Sequence, residues 1–117
     1  MIKKEISVIS KAMLEKKARG VLSLDLRKVG TAISDYFVVC NADSTTQVSA
    51  IADNVQEAML EEMGQKPLRV QGLENSLWVI LDYGIAVVHI FQTEYRAFYR
   101  LEDLWADAKR TEFKEED

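Results

Sequence analysis

Residues 78–91 read WVILDYGIAVVHIF, and the way this run folds decides the architecture. Eleven of its fourteen residues are apolar or aromatic, with Asp82, Gly84 and His89, the only histidine of the chain, set among them. As one strand it would extend roughly 46 Å at about 3.3 Å per residue, too long for a domain this small. The chain must reverse inside it. Gly84 takes the positive φ of a tight turn at no steric cost, so Tyr83 and Gly84 are expected as the central pair. A two-residue turn there puts Asp82 opposite Ile85, Leu81 opposite Ala86, Ile80 opposite Val87, Val79 opposite Val88 and Trp78 opposite His89. Alternation then sorts the side chains. Val79, Leu81, Ala86, Val88 and Ile90 form an aliphatic face suited to packing on helices, whereas Trp78, Ile80, Asp82, Ile85, Val87, His89 and Phe91 form a mixed one.

Two accounts of the mixed face stay open at this point. It is covered, with Asp82 accepting backbone hydrogen bonds at the turn and His89 satisfied by a neighbour. Alternatively it is a protein-binding surface, since interface centres favour aromatic anchors with a few polar groups.

Working outward, Ile2, Ile6, Ile9 and Met13 mark one stripe of a helix over residues 2–19, with Gly20 placed to end it. VLSLDLRKV (21–29) alternates as a half-buried strand closed by Gly30, and DYFVVCNA (35–42) is a β-branched and aromatic strand. Ser44 and Gln47 have the spacing of a capping box, opening a helix whose buried stripe is Val48, Ile51, Val55, Ala58 and Met59 and which Gly64 stops in left-handed conformation. The single proline, in QKPLRVQG, points to a loop entering a short or edge strand. From Thr93 as N-cap, a third helix places Phe98, Leu101, Leu104 and Trp105 on the sheet. The expectation is an α/β or α+β domain over residues 1–108, with a mixed sheet of about five strands and three flanking helices, followed by a charged, frayed tail over 109–117.

At 117 residues the chain is long enough for one core. Hydrophobic residues at 48% and charged ones at 29% are a globular balance, and no apolar run approaches the roughly 18 to 20 residues of a membrane-spanning helix. Glu5 interrupts any signal-like stretch, so the protein is expected in the cytoplasm. The lone Cys40 reads as a small buried side chain. A net charge of −4 disfavours binding to a phosphate backbone and favours a basic protein as partner.

Motifs of catalysis are missing from the sequence: no glycine-rich phosphate loop, no nucleophile elbow, no zinc-type spacing. Asp25, Asp35 and Asp82 could converge on a metal ion in a nucleotide-binding enzyme, the alternative function, but three scattered aspartates fit solvation or turn chemistry better. No cofactor and no metal is expected.

Three stretches carry a family likeness. DYFVVCNADSTTQVSAIADNV (35–55), LWVILDYGIAVVHIF (77–91) and RAFYRLEDLW (96–105), in this order and spacing, closely resemble the ribosomal silencing factor family, also called Iojap-like proteins, over about residues 5–107. The resemblance implies a non-enzymatic translation repressor that binds the large ribosomal subunit through large-subunit ribosomal protein number fourteen. It would stand where the small subunit docks and lower translation when nutrients run short. It further implies a fold like a degenerate nucleotidyltransferase domain and a homodimer in the free form. By position, the family's aromatic-acidic patch falls on Trp78, Asp82 and Tyr83, with Tyr99 and Trp105 from the last motif; His89 joins them on the mixed face. Ile85 and Ala86 depart from the family pattern, which often has an acidic and then a branched aliphatic residue after the glycine.

Overall fold

The computed structural model describes residues 3–29, 34–100, 103 and 106–114. In chain order the elements are α1 (Lys4–Glu15), β1 (Arg19–Asp25), β2 (Tyr36–Ala42), α2 (Thr45–Met63), β3 (Arg69–Gln71), β4 (Trp78–Asp82), β5 (Ala86–Gln92), α3 (Thr93–Tyr99) and β6 (Lys109–Glu112). The six strands make one sheet in the order β3-β4-β5-β2-β1-β6, with β2 and β5 parallel at its centre and every other pair antiparallel. This is the mixed sheet with three helices that the residue patterns indicate, with one strand more. Among the described residues no helix is long and apolar enough to cross a membrane.

The helices α1 and α2 cover one face. Ile9 and Met13 of α1 and Ile51, Val55 and Met59 of α2 meet Val38, Cys40, Val88 and Ile90 in a core from which water is excluded. Because the central pair is buried on both faces, its strands lack a polar-apolar alternation and read as near-continuous apolar runs. Ser44 caps α2 by accepting from the Gln47 N–H at 3.1 Å, and Gly64 ends it in left-handed conformation. The Gln47 side chain does not close the box. It donates instead to the carbonyls of Lys16 and Lys17, tying α2 to the end of α1.

Boundaries differ from the sequence expectation where side-chain chemistry intervenes. Helix α1 stops at Glu15, with Lys17 taking the left-handed conformation and Ala18 N–H reaching the Met13 carbonyl. Gly20 serves another purpose: a Cβ there would come 2.5 Å from Arg96 Nη1. Strand β1 ends at Asp25, whose carboxylate clasps Arg27 at 2.7 and 3.0 Å and turns the chain.

The hairpin's register is displaced by two residues. Trp78 faces Phe91, Ile80 faces His89 and Asp82 faces Val87, so Gly84 and Ile85 rather than Tyr83 and Gly84 are the central pair of the turn, and Tyr83 N–H donates to the Ala86 carbonyl at 2.9 Å across it. The cause is the parallel neighbour, since the Ile85 carbonyl accepts from Asp35 and Tyr36 N–H and is unavailable to β4. A slip of two leaves every strand side chain on its expected face. Ile85, outside the ladder, packs on the helix-side core instead of the mixed face.

The C-terminal third departs most. Gln92, not Thr93, caps α3, which ends at Tyr99 with Arg100 left-handed. Phe98, expected on the sheet, is 79% exposed, and Leu101, Leu104 and Trp105 lie outside the described residues. Lys109–Glu112, expected in a frayed tail, pair antiparallel with β1, and the edge is anchored by Phe113, whose N–H reaches the Val21 carbonyl while its ring meets the helix-side core. A short, charged strand is how sheets blunt an edge, and it leaves no apolar period to read.

Truncating Ile90, fully buried between sheet and helices, to Ala is expected to cost about 2–5 kcal/mol in urea unfolding, whereas Leu68→Ala at a 78% exposed position should stay within about 0.5 kcal/mol.

Candidate functional site

The sheet face opposite α1 and α2 carries the second cluster, built from Leu22, Leu24, Leu26, Phe37, Val39, Val87 and Phe91. Its register aligns one row across all six strands: Arg69, Asp82, Val87, Phe37, Leu24 and Arg110. The middle of the row is buried, and the charged residues stand at its two ends.

Near the β3–β4 end the side chains are only partly covered. Trp78, Ile80 and Asp82 are half-buried, and Leu68 and Leu73, on either side of β3 in sequence, are exposed. Trp78 is held from beneath. Its ring stacks on fully buried Phe91 with centroids 4.8 Å apart, and its Nε1–H donates to His89 Nδ1 at 3.1 Å. Phe37 meets the His89 ring edge-on at 4.6 Å. An acceptor at Nδ1 assigns the imidazole proton to Nε2, a buried group with no hydrogen-bond partner among the described residues. Burial pushes the His89 pKa down to about 4. A neutral imidazole is therefore what orients the indole.

Asp82 is fixed by the turn it shapes: Oδ1 accepts from Gly84 N–H at 2.8 Å while Gly84 adopts φ 85°, a conformation that disfavours any side chain. Leu68 lies over this turn, its Cδ1 at van der Waals distance from where a Gly84 Cβ would be, and its N–H donates to the Asp82 carbonyl at 2.7 Å.

Of the residues singled out by sequence, Trp78 and Asp82 thus share a partly open edge. His89 and Tyr83 do not offer contact area, being 5% and 7% exposed. Tyr83 belongs to the helix-side core, with its hydroxyl buried and unpartnered among the described residues and its phenol pushed up to about 12 by burial. The Tyr99 side chain and Trp105 lie outside the described residues. Ile85 and Ala86, which depart from the family pattern, point inward, Ala86 being fully buried. Ile80 shares the face of Trp78 and Asp82; Leu68, in the proline-marked stretch, lies over the turn instead.

Two of the three aspartates named for the alternative chemistry are engaged within the fold. Asp25 is committed to Arg27, whose hydrogen bonds hold its carboxyl down to about 2, and Asp82 to its turn. Among the described residues no group of three or more His, Cys, Asp or Glu is placed to hold a metal ion. Cys40 is fully buried and its thiol is pushed up to about 12, far from a reactive thiolate.

The buried imidazole makes stability depend on pH. The unfolded chain takes up a proton near pH 6.5 and the folded one only near 4, so stability should fall as pH drops through this window, by about 3 kcal/mol in total. Denaturant titrations between pH 7 and 4 should show that slope in the wild type and its loss in His89→Gln.

A family model described as "Ribosomal silencing factor during starvation" matches residues 1–117. The ribosomal silencing factor RsfS of Halalkalibacterium halodurans is 38% identical over 103 residues, 88% of this chain and 86% of that one. The RsfS of Bacillus subtilis is 34% identical over 103 residues, with the same shares covered. A crystal structure from Bacillus halodurans superposes with a TM-score of 0.78 at 34% identity, covering 92% of this chain and 96% of the other. With the family model matched over residues 1–117 and relatives 34–38% identical over 88% of the chain, the chain belongs to the ribosomal silencing factor family.

Proposed function

We propose that the chain represses translation by binding the large ribosomal subunit through large-subunit ribosomal protein number fourteen and preventing the small subunit from joining. The observation that carries the contact is Trp78: a large aromatic ring, half-buried near the sheet edge, locked by Phe91 and His89 and sharing its strand and face with Asp82 and Ile80. A rigid, pre-oriented aromatic anchor is the kind of residue that concentrates binding energy in interfaces.

Asp82 meets a lysine or arginine of the partner, and the chain's net charge of −4 speeds encounter with a basic ribosomal protein. Tyr83 and His89 contribute from inside, Tyr83 by filling the core under the turn and His89 by fixing the indole. The block is steric, so no catalytic step and no cofactor enters it. The protein works in the cytoplasm, where its partner is, and when free it pairs with a second copy.

Trp78→Ala should weaken binding to isolated large subunits by about 1 kcal/mol or more in a co-sedimentation titration, with thermal unfolding confirming the fold. Asp82→Asn, which keeps the oxygen that caps the turn, should leave stability unchanged and slow association at low salt. Unchanged binding by both folded variants would remove this edge from the contact.

A further inference from the structure

The net charge of the chain is not spread evenly. Beside the carboxyl ends of β2 and β5, two clefts of about 370 and 460 Å³ share Arg96 as their common wall, the first running from there along β1 and β6 to Arg110, level with the starts of β2 and β5. The first is lined by Arg96, Arg110 and Lys114 with a single carboxylate, Glu112, so three cations face one anion on a chain that is acidic overall. The second adds Arg100, paired with Asp103 at 2.7 Å.

Arg96 is set in place by a relay. Its Nη1 donates to the Gly20 carbonyl at 2.7 Å and to Asn41 Oδ1 at 2.8 Å, Asn41 donates to Thr93 Oγ1, and Thr93 donates to Asp43. The missing side chain at Gly20 is what admits the guanidinium. The carboxyl ends of parallel strands are also where open α/β sheets receive ligands.

Arg110 stands in the same cross-sheet row, on the same face, as Asp82. Four strand spacings separate them, roughly 19 Å at about 4.8 Å each. A body that docks on the Trp78 edge therefore presents whatever lies about 20 Å away to the basic cleft.

We infer that the cleft between α3 and β6 receives the ribose-phosphate backbone of RNA beside the protein docking site, with Arg96, Arg110 and Lys114 facing successive phosphates and Glu112 accepting from a 2′-hydroxyl. This inference rests on the ribosomal docking proposed above, and it runs against the expectation, drawn from net charge, of little nucleic-acid contact. Cations plus one acceptor suit RNA, whose 2′-hydroxyl donates, better than a bare phosphate or DNA.

The test uses Arg110→Gln/Lys114→Gln, both exposed and outside the relay that holds Arg96. Binding to large subunits is measured across salt concentrations. The double variant should lose affinity about tenfold at low salt and flatten the log-log salt slope by roughly 1.4 to 1.8, at about 0.7 to 0.9 for each phosphate no longer neutralised. Trp78→Ala should lose affinity with its slope unchanged. An unchanged slope in the double variant overturns the phosphate contact even if affinity falls.

A labelled RNA duplex at low salt gives a readout independent of protein docking. Wild type should bind it more tightly than the matching DNA duplex, and the double variant should not bind it. No binding by wild type, equal binding of DNA, or stabilisation by inorganic phosphate without RNA binding overturns the assignment. RNA binding by a protein that ignores large subunits would sink the docking proposal while leaving this cleft as an RNA site.

Discussion

The parallel pairing of β2 with β5 is the constraint on which the rest of the structure hangs. It runs through seven registered residue pairs, from Tyr36 with Ala86 to Ala42 with Gln92, at the centre of the sheet. Burial on both faces forces both strands to be apolar and leaves helices to cover one side. The same pairing draws the Ile85 carbonyl toward β2, and so decides where β5 starts and which residue each member of β4 faces. Through that register Phe91 and His89 come to lie under Trp78.

The candidate surface is thereby a property of the core as much as of the edge. An indole on a lone strand would sample several rotamers. Here a stacked ring and one hydrogen bond to a buried imidazole restrict it, and the ordering cost is met on folding rather than on binding. The imidazole serves because burial keeps it neutral: a protonated His89 has no lone pair at Nδ1 and could not accept from the indole.

How far these features were legible follows from the range of the interactions behind them. The Ser44 cap, the Gly64 stop and the sorting of the hairpin into two faces depend on neighbours within a few residues, and each was readable. The hairpin register was not, because Asp35 and Tyr36, some fifty positions away, decide it. Strand β6 hid behind its own charges, and its anchor Phe113 is a single apolar residue with no period around it. For the candidate site, motif resemblance pointed to Trp78 and Asp82, and the structure leaves both partly open on one face. The inward turn of His89 and Tyr83 needed the strand partners and the helix layer to be known. Overall composition says nothing of how charge is distributed: a net charge of −4 coexists with a cleft lined by Arg96, Arg110 and Lys114.

An acidic chain with an aromatic anchor at one end of a sheet face and a basic cleft at the other is suited to sitting across a boundary between protein and RNA. Its size and rigid sheet fit a role as an obstacle. The most direct measurement is subunit joining itself: purified large subunits incubated with the protein, then mixed with small subunits and resolved on a sucrose gradient at joining conditions. The account predicts that the protein travels with the large subunit and that joined ribosomes decline in proportion to its occupancy. Undiminished joining at saturating occupancy would contradict it.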